Sequence, residues 1–326
     1  MNDPLAIVAD IGGTNTRVAM TRGPRVQTDS IRRFRNADFS GLTDVLQTYI
    51  KDREDRPSCA SVAAAGPVHE GVARMTNLDW VIDRADLAQA LDLETVAVLN
   101  DLQAQGHALR HVDPAKMRLL LPGSDEDVSS HAARLVVGVG TGMNAALVYR
   151  TETGTLVPPS ESGHISFPVQ SEEELRLMRF AGRKHGVPGV EDVLSGRGIE
   201  RLYAWRCEED GASDAPALAA AEIMAACAAG NDPRAHDAVA MAVRLLGRVL
   251  GNLALIQLPF GGIYLVGGVA RALAQHATQM GLAEAFMDKG RFGPFMQQFP
   301  VWVVEDDYAA LTGCAGHLCE LIGQKG

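Results

Sequence analysis

A two-domain α/β protein with a mixed sheet in each half is the fold class this sequence predicts, and three segments predict it. In the first, the apolar run Ile7-Val8-Ala9-Asp10-Ile11 ends in Gly12-Gly13-Thr14-Asn15 and returns as Thr16-Arg17-Val18-Ala19-Met20. That is a strand, a glycine turn and a second strand. In the second, Leu135-Val136-Val137-Gly138-Val139 passes through Gly140-Thr141-Gly142 into Met143-Asn144-Ala145-Ala146-Leu147-Val148, the same design again. In the third, Ile263-Tyr264-Leu265-Val266 is a buried-type strand that meets a helix starting at Gly267-Gly268. A chain of 326 residues suits about two domains of ordinary size.

The turns carry chemistry as well as topology. Gly12 and Gly13 lack Cβ and are free to take positive φ, so their backbone N–H groups can approach an anion. Thr14 adds a hydroxyl donor, and Asp10 stands where a phosphate-bound Mg²⁺ needs a carboxylate, reached through water. The pattern is neither a P-loop, which requires G-x-x-x-x-G-K-[ST] before a helix, nor a G-x-G-x-x-G dinucleotide loop. An ordinary glycine hairpin is the plain alternative, and D-x-G-G-T-N-x-R between two apolar strands favours phosphate. Its recurrence predicts a duplicated architecture with a nucleotide clamped between the halves. At Gly267-Gly268 a helix N-terminus favours a nucleoside or phosphate.

The remaining elements follow in order. Residues 28–34 read as a third strand and 39–51 as a helix, with the charged run 51–57 a solvated loop. Residues 58–64 form a small-residue buried strand, 72–75 return, and 83–91 form a short helix. Residues 95–99 are a β-branched strand ending at Asn100-Asp101, with a helix over 102–109 behind it. This β-β-β-α-β-α order mixes hairpins with a crossover, unlike pure Rossmann alternation. Charge and Pro114 place a boundary at 111–115, which gives a first domain of 1–111 plus 303–326 and a second of 112–302. Residues 123–130 are a polar loop. Ser171-Glu172-Glu173-Glu174 is a capping box for a helix to His185, stopped by Gly186. Residues 206–216 read as an acidic loop, 216–229 and 233–258 as helices with proline in the first turn, and 308–322 as a helix packing back on the first domain.

Composition narrows the partners. The chain is 47% hydrophobic and 21% charged, with a net charge of −10. That balance supports a soluble globular protein and argues against nucleic acid or an anionic membrane as the main partner. No basic n-region and apolar h-region open the chain, and no window reads as long enough for a membrane span. The five cysteines are scattered without a C-x-x-C pair and read as buried thiols of a reducing cytoplasm, not as disulfides or zinc ligands. His107 and His111 share i, i+4 spacing near a helix end, with no cysteine or carboxylate close in sequence.

Three clusters could do chemistry. Asn100-Asp101 lies at the C-terminal end of a strand, where open α/β sheets place ligands, and a carboxylate there can take the proton of an attacking hydroxyl. Asp101 could equally be the N-cap of the helix that follows. Ser160-Glu161-Ser162-Gly163-His164 contains E-x-x-H, but Pro158, Pro159 and Gly163 argue against a metal-binding helix. In a loop, Glu161 and His164 can bind hydroxyls as acceptor and as donor or acceptor. Glu191 either binds a ligand or favours the dipole of the helix beyond it.

Together these pieces resemble the bacterial ATP-dependent glucokinase family of the hexokinase/actin-like ATPase superfamily. The matching segments, in order, are Asp10-Ile11-Gly12-Gly13-Thr14-Asn15, Met75-Thr76-Asn77, Asn100-Asp101, Gly140-Thr141-Gly142, Glu161-x-x-His164, Glu191-x-Val193-Leu194-Ser195-Gly196, Gly251-Asn252-Leu253-Ala254-Leu255, Gly267-Gly268 and Asp288-Lys289-Gly290-Arg291-Phe292. The C-x-C-G zinc motif of a neighbouring sugar-kinase family is absent.

The resemblance implies a two-domain actin-like ATPase fold, ribonuclease H-like, with mixed sheets and an interdomain cleft. It implies ATP and Mg²⁺ as cofactors and transfer of the γ-phosphoryl group to the 6-hydroxyl of glucose, feeding glycolysis. Asp101 would be the base, and Asn77, Asn100, Asp101, Glu161, His164 and Glu191 would hold the sugar. Ala9, Asp10, Ile11, Gly12, Gly13, Thr14, Gly140, Thr141 and Gly142 would cradle phosphates, and Gly267 and Gly268 would border the adenosine. Mg²⁺ would arrive with ATP, with no protein metal site of its own. The expected partners are glucose and ATP, with neither nucleic acid nor membrane, in a cytoplasmic homodimer. Another hexose (mannose, fructose or an amino sugar) is the alternative substrate, and a sugar sensor the alternative role. The chain departs from the family at Ser160 and Ser162, where glycine is common, at Met143-Asn144 in place of Leu-Gly, and at Leu102 in place of an aromatic residue.

Overall fold

The computed structural model describes residues 3–75, 78–124 and 128–324. The chain divides into two compact units: residues 1–116, 148–159 and 306–326 form unit 1, and residues 117–147 and 160–305 form unit 2. Residues 148–159, which the sequence placed in the second domain, group with unit 1.

The chain begins with β1 (Leu5–Ile11), β2 (Asn15–Arg22), β3 (Arg25–Val26), β4 (Arg32–Arg35) and α1 (Leu42–Ile50). It continues through β5 (Cys59–Ala64), β6 (Val68–His69), β7 (Val72–Arg74) and β8 (Val81–Asp83). Next come α2 (Arg84–Leu91), β9 (Thr95–Asn100) and α3 (Asp101–Ala108). The sheet of unit 1 runs β3-β2-β1-β5-β9, with β4 also paired to β2. Strand β1 is antiparallel to β2 and parallel to β5, and β5 is parallel to β9, so the sheet is mixed. In this register Ile11 and Asn100 both pair with Ala64. The first glycine turn and the Asn100-Asp101 pair therefore leave the sheet at the same end of its parallel strands.

Beyond unit 1's first stretch lie β10 (Met117–Leu121), β11 (Arg134–Val139), β12 (Met143–Thr151), β13 (Gly154–Leu156), α4 (Glu172–His185), α5 (Gly196–Glu209) and α6 (Ala220–Ala229). They are followed by α7 (Pro233–Gln257), β14 (Ile263–Val266), α8 (Gly268–Ala274), α9 (Leu282–Met287), β15 (Val301–Val304) and α10 (Ala309–Gly323). In unit 2 the strand order is β10-β15-β14-β11-β12, with β11, β14 and β15 mutually parallel along the path. Strand β13 pairs antiparallel with the end of β12, among the residues grouped with unit 1.

Every residue of β5 is buried, and its sequence Cys-Ala-Ser-Val-Ala-Ala is small because both sheet faces are covered. On one face α10 packs Ala310, Leu311, Cys314 and Ala315 onto Val8, Ala63, Leu99 and Ala104. A Cβ at Gly313 would fall 1.7 Å from the Ala104 carbonyl, so α3 and α10 touch through glycine. On the other face Val45, Leu46, Tyr49 and Leu87 close over Ile7, Ala9 and Val62. In unit 2, α7 fills the core with Val239, Met241, Leu245, Leu246, Val249 and Leu250.

Several expectations change. Helix α7 is long and apolar enough to cross a membrane by length and composition, contrary to the sequence reading, but most of that window is buried inside the protein. It is a core helix, because its apolar side chains already have protein partners. Residues 28–34 are not one strand: a 3-10 turn, Thr28–Ser30, precedes β4, and the Ser30 hydroxyl accepts from the Met20 N–H at 2.9 Å. Helix α1 starts at Leu42, after an extended Gly41. Helix α5 runs through Glu209 into the expected acidic loop, because Arg176 and Arg183 of α4 pair with Glu209 and Glu208 while Trp205 and Cys207 are buried. Helix α6 starts at Ala220 rather than at Pro216, with the Glu222 carboxylate accepting the Ala219 N–H at 2.8 Å.

Candidate active site

In unit 1 the site begins with the turn between β1 and β2. Among the described residues neither Gly12 nor Gly13 takes a positive φ, so the expected conformational reason for glycine does not hold. Instead Asn36, which is buried, fastens the turn. Its Nδ2 donates to the Gly12 carbonyl at 2.8 Å, its Oδ1 accepts from the Thr16 hydroxyl at 2.8 Å, and its backbone N–H donates to the Thr14 carbonyl at 2.9 Å. Gly13 and Thr14 stay exposed. Asp10 lies beneath them, its carboxylate 3.6 Å from the Arg17 guanidinium. Burial raises the Asp10 pKa above the ordinary carboxylate value, opposed by Arg17.

The end of β9 settles which residue caps α3. Asn100 is the N-cap, accepting from the Leu102 N–H at 2.9 Å, while Gln103 Oε1 accepts from the Asn100 N–H at 3.0 Å in a capping box. Asn100 Nδ2 also donates to the Gly66 carbonyl at 3.0 Å, which ties β9 to the loop after β5. Asp101 is therefore not the cap. It is the first residue of α3, exposed, and its Oδ1 accepts from the Leu102 N–H at 2.8 Å. Asn77 lies outside the described residues.

Unit 2 gathers its residues around the second turn. Gly140 donates its N–H to the Gly142 carbonyl at 2.8 Å and accepts from the Gly196 N–H at 2.8 Å, so the start of α5 rests on the turn. Glu191 Oε2 accepts from the Met143 N–H at 2.9 Å, and Oε1 from the Arg197 guanidinium at 3.3 Å. A Cβ on Gly142 would lie 2.5 Å from Glu191 Oε2, so glycine makes room for that carboxylate. Glu161 precedes a 3-10 turn, Ser162–His164, that His164 ends, and both are exposed. Gly163 fits against the Met143 carbonyl, where a Cβ would come within 1.9 Å, and Gly189 lies against the Gly163 carbonyl and His164. Gly267 takes φ of +99° with a Cβ position 2.5 Å from the Val139 carbonyl, which explains glycine there twice over. The turn, Glu161, His164, Glu191 and the start of α8 thus form one packed cluster.

Among the described residues no group of three or more His, Cys, Asp or Glu side chains is arranged to hold a metal ion, and all five cysteines are free. Asn252 and Lys289, from two of the matching segments, meet each other. Lys289 Nζ donates to Asn252 Oδ1 at 2.8 Å, which docks the loop after α9 on α7. Asn36, Asn144 and Arg197 were missed by the sequence reading as parts of the site. Only Asn144 carried a signal, as a departure from the family pattern.

The family model described as Glucokinase matches residues 7–320. The glucokinase of Hahella chejuensis is 32% identical over 311 residues, covering 95% of this chain and 95% of that protein. The chain belongs to the glucokinase family. Among solved structures, the glucokinase of an Antarctic psychrotroph superposes with a TM-score of 0.84 at 28% identity, over 97% of this chain and 98% of that one. The Balamuthia mandrillaris glucokinase, solved in complex with glucose, has a TM-score of 0.80 at 21% identity, over 97% of this chain and 93% of that one. The family's two-domain actin-like ATPase fold is the fold class expected from the sequence.

Proposed function

We propose that this protein transfers the γ-phosphoryl group of ATP to the 6-hydroxyl of glucose, giving glucose 6-phosphate and ADP. The observation that carries the reading is the division of chemistry between an exposed carboxylate and a hydroxyl-binding cluster. Asp101 stands in the first turn of α3 at the end of β9, while Glu161, His164 and Glu191 gather on the Gly140–Gly142 turn. Asp101 accepts the proton of the 6-hydroxyl as the oxygen attacks phosphorus, and the P–O bond to ADP breaks. Glu161 and Glu191 accept from sugar hydroxyls, His164 adds a donor or acceptor, and Asn100 offers what its cap leaves of the amide. Phosphoryl transfer depends on such positioning and charge placement more than on covalent help from the protein.

The ATP phosphates would meet the backbone of Gly12–Thr14 and Gly140–Gly142, with Gly267 and Gly268 beside the nucleoside. Asp10 fits a water-mediated contact to the Mg²⁺ that ATP carries: it is a carboxylate whose burial disfavours its charge, a cost that a cation offsets. When bound, Mg²⁺ neutralises charge on the phosphates. We place the protein in the cytoplasm as a homodimer. Five free thiols accord with the location.

Asp101→Asn tests the reading. Loss of a general base typically costs about 10²–10⁴-fold in rate. The expected result is that loss in kcat by ADP-coupled assay, with glucose affinity by calorimetry retained. A kcat within a small factor of the parent would remove Asp101 from catalysis. Wild-type kcat/KM should favour glucose over its C2 epimer mannose, and His164→Ala should narrow the gap. Equal values, or a preference for mannose, would replace glucose with a broader hexose class.

A further inference from the structure

Three departures from the family pattern, at Asn144, Ser160 and Ser162, meet in space around Glu161. Asn144 sits on β12, one residue after Met143, whose N–H is bonded to Glu191. Its Oδ1 accepts from the Ser162 N–H at 2.9 Å and from the Ala145 N–H at 2.8 Å. Its Nδ2 donates to the Ser160 carbonyl. The peptide groups on both sides of Glu161 are therefore held by one side chain. The Ser160 and Ser162 hydroxyls lie 2.6 Å apart, and that of Ser162 also reaches toward the Ala145 carbonyl at 3.5 Å. Glu161 itself adopts φ −128° and ψ 49° between the two held peptide groups.

We propose that Asn144 is a positioning residue for the sugar, an amide clip that sets the backbone on both sides of Glu161 and so aims its carboxylate. Glycine in its place could make none of these bonds, and the serines on either side of Glu161 complete the clip. The hydroxyl-binding cluster then has two anchors on β12: Met143 N–H holds Glu191, and the Asn144 side chain holds Glu161. A glutamate aimed by a preformed loop binds a hydroxyl without first ordering its own backbone. A displacement of order 1 Å at such a group can cost on the order of 10²-fold in turnover.

The proposal rests on the reading of Glu161 as a sugar ligand, so Glu161→Gln is measured alongside. Asn144→Ala is expected to raise the KM for glucose roughly tenfold, as loss of one or two net hydrogen bonds would. The KM for ATP should stay within about twofold, and the glucose-to-mannose ratio of kcat/KM should fall. In the Glu161→Gln background the same substitution should change the glucose KM little, because the group it aims has been weakened. Asn144→Asp is nearly isosteric and keeps both acceptor bonds while losing the donor. It is expected to move glucose KM in the same direction, and it is the variant to read if Asn144→Ala does not fold. If Glu161→Gln weakens glucose and neither Asn144 variant does, the clip is overturned. Equal rises in glucose and ATP KM, or undiminished effects without Glu161, would also overturn it by showing general damage. If Glu161→Gln leaves glucose unchanged, it is the reading of Glu161 that fails.

Discussion

The two glycine turns look alike in sequence and are built for different reasons. Gly12-Gly13-Thr14 is held from below by a single buried asparagine, and a Cβ on Gly12 would meet nothing closer than the Asn15 carbonyl at 3.5 Å. Gly140-Thr141-Gly142 is packed on by its neighbours: α5 donates a backbone N–H to it, and the Glu191 carboxylate occupies the space a Gly142 side chain would need. At Gly12 a side chain is thus opposed neither by packing nor by φ within the protein. In the second turn the space at Gly142 is taken by the Glu191 carboxylate, while a Cβ on Gly140 would meet nothing within 4 Å. The contrast lies between Gly12, whose side-chain space the protein leaves unused, and Gly142, whose space it gives to a carboxylate.

The largest effect expected from this difference is at Gly142. Gly142→Ala should push the Glu191 carboxylate aside, since that side chain can move more readily than backbone. Glucose kcat/KM should fall by on the order of 10²-fold, the scale of a misplaced binding group, with little change in Tm. A large loss of Tm with unchanged glucose kinetics would mean the contact is structural only.

Next in size is Asn36→Ala. It leaves the Gly12 carbonyl and the buried Thr16 hydroxyl without their partner, and a buried polar group left unsatisfied costs about 1–3 kcal/mol. Thermal denaturation should register that loss, and the KM for ATP should rise more than that for glucose. Unchanged stability would show that the turn holds its shape without Asn36.

The stability of the two units should also respond differently to pH. His107 and His111 on α3 and His317 on α10 lie together with Arg110 and Glu320, and burial lowers all three histidine pKa values, that of His107 to about 3. Their unfolded value is near 6.5, so the unfolded chain takes up protons first as pH falls. The stability they contribute is whole above about pH 6.5 and is lost on acidification toward the folded values. His107, the buried one of the three, removes about 1.4 kcal/mol per pH unit in that window. In unit 2 only His276 is lowered among the described residues. Hydrogen exchange at pH 5 against pH 7 should show α3 and α10 losing more protection than α7, and equal loss would rule out the cluster as the cause.

The smallest effect sharpens the contrast most. Gly12→Ala should change stability by no more than about 0.5 kcal/mol, as a surface substitution without a steric clash. It should raise the KM for ATP and leave that for glucose alone. Should Gly12→Ala and Gly142→Ala instead disturb the same substrate, the two turns would not differ in role.

The sequence by itself determined the strands and helices whose signals are local: both hairpins, the capping box at Ser171, the proline-led α7 and the terminal helix over nearly its full length. It also singled out the residues proposed for the site, because Asp at a strand end and Glu and His in a proline-flanked loop stand out by type and spacing. Only the tertiary structure decided what each one touches. Asn36 and Gly12 are 24 residues apart, Asn144 and Ser162 are 18, and Met143 and Glu191 are 48, and no periodicity reaches across such gaps. The cap at α3 required side-chain geometry to tell Asn100 from Asp101, both good caps. The burial of α7 required its neighbours, because a helix apolar enough for lipid is also apolar enough for a core. Packing between distant segments made those choices, and it is a property of the folded chain.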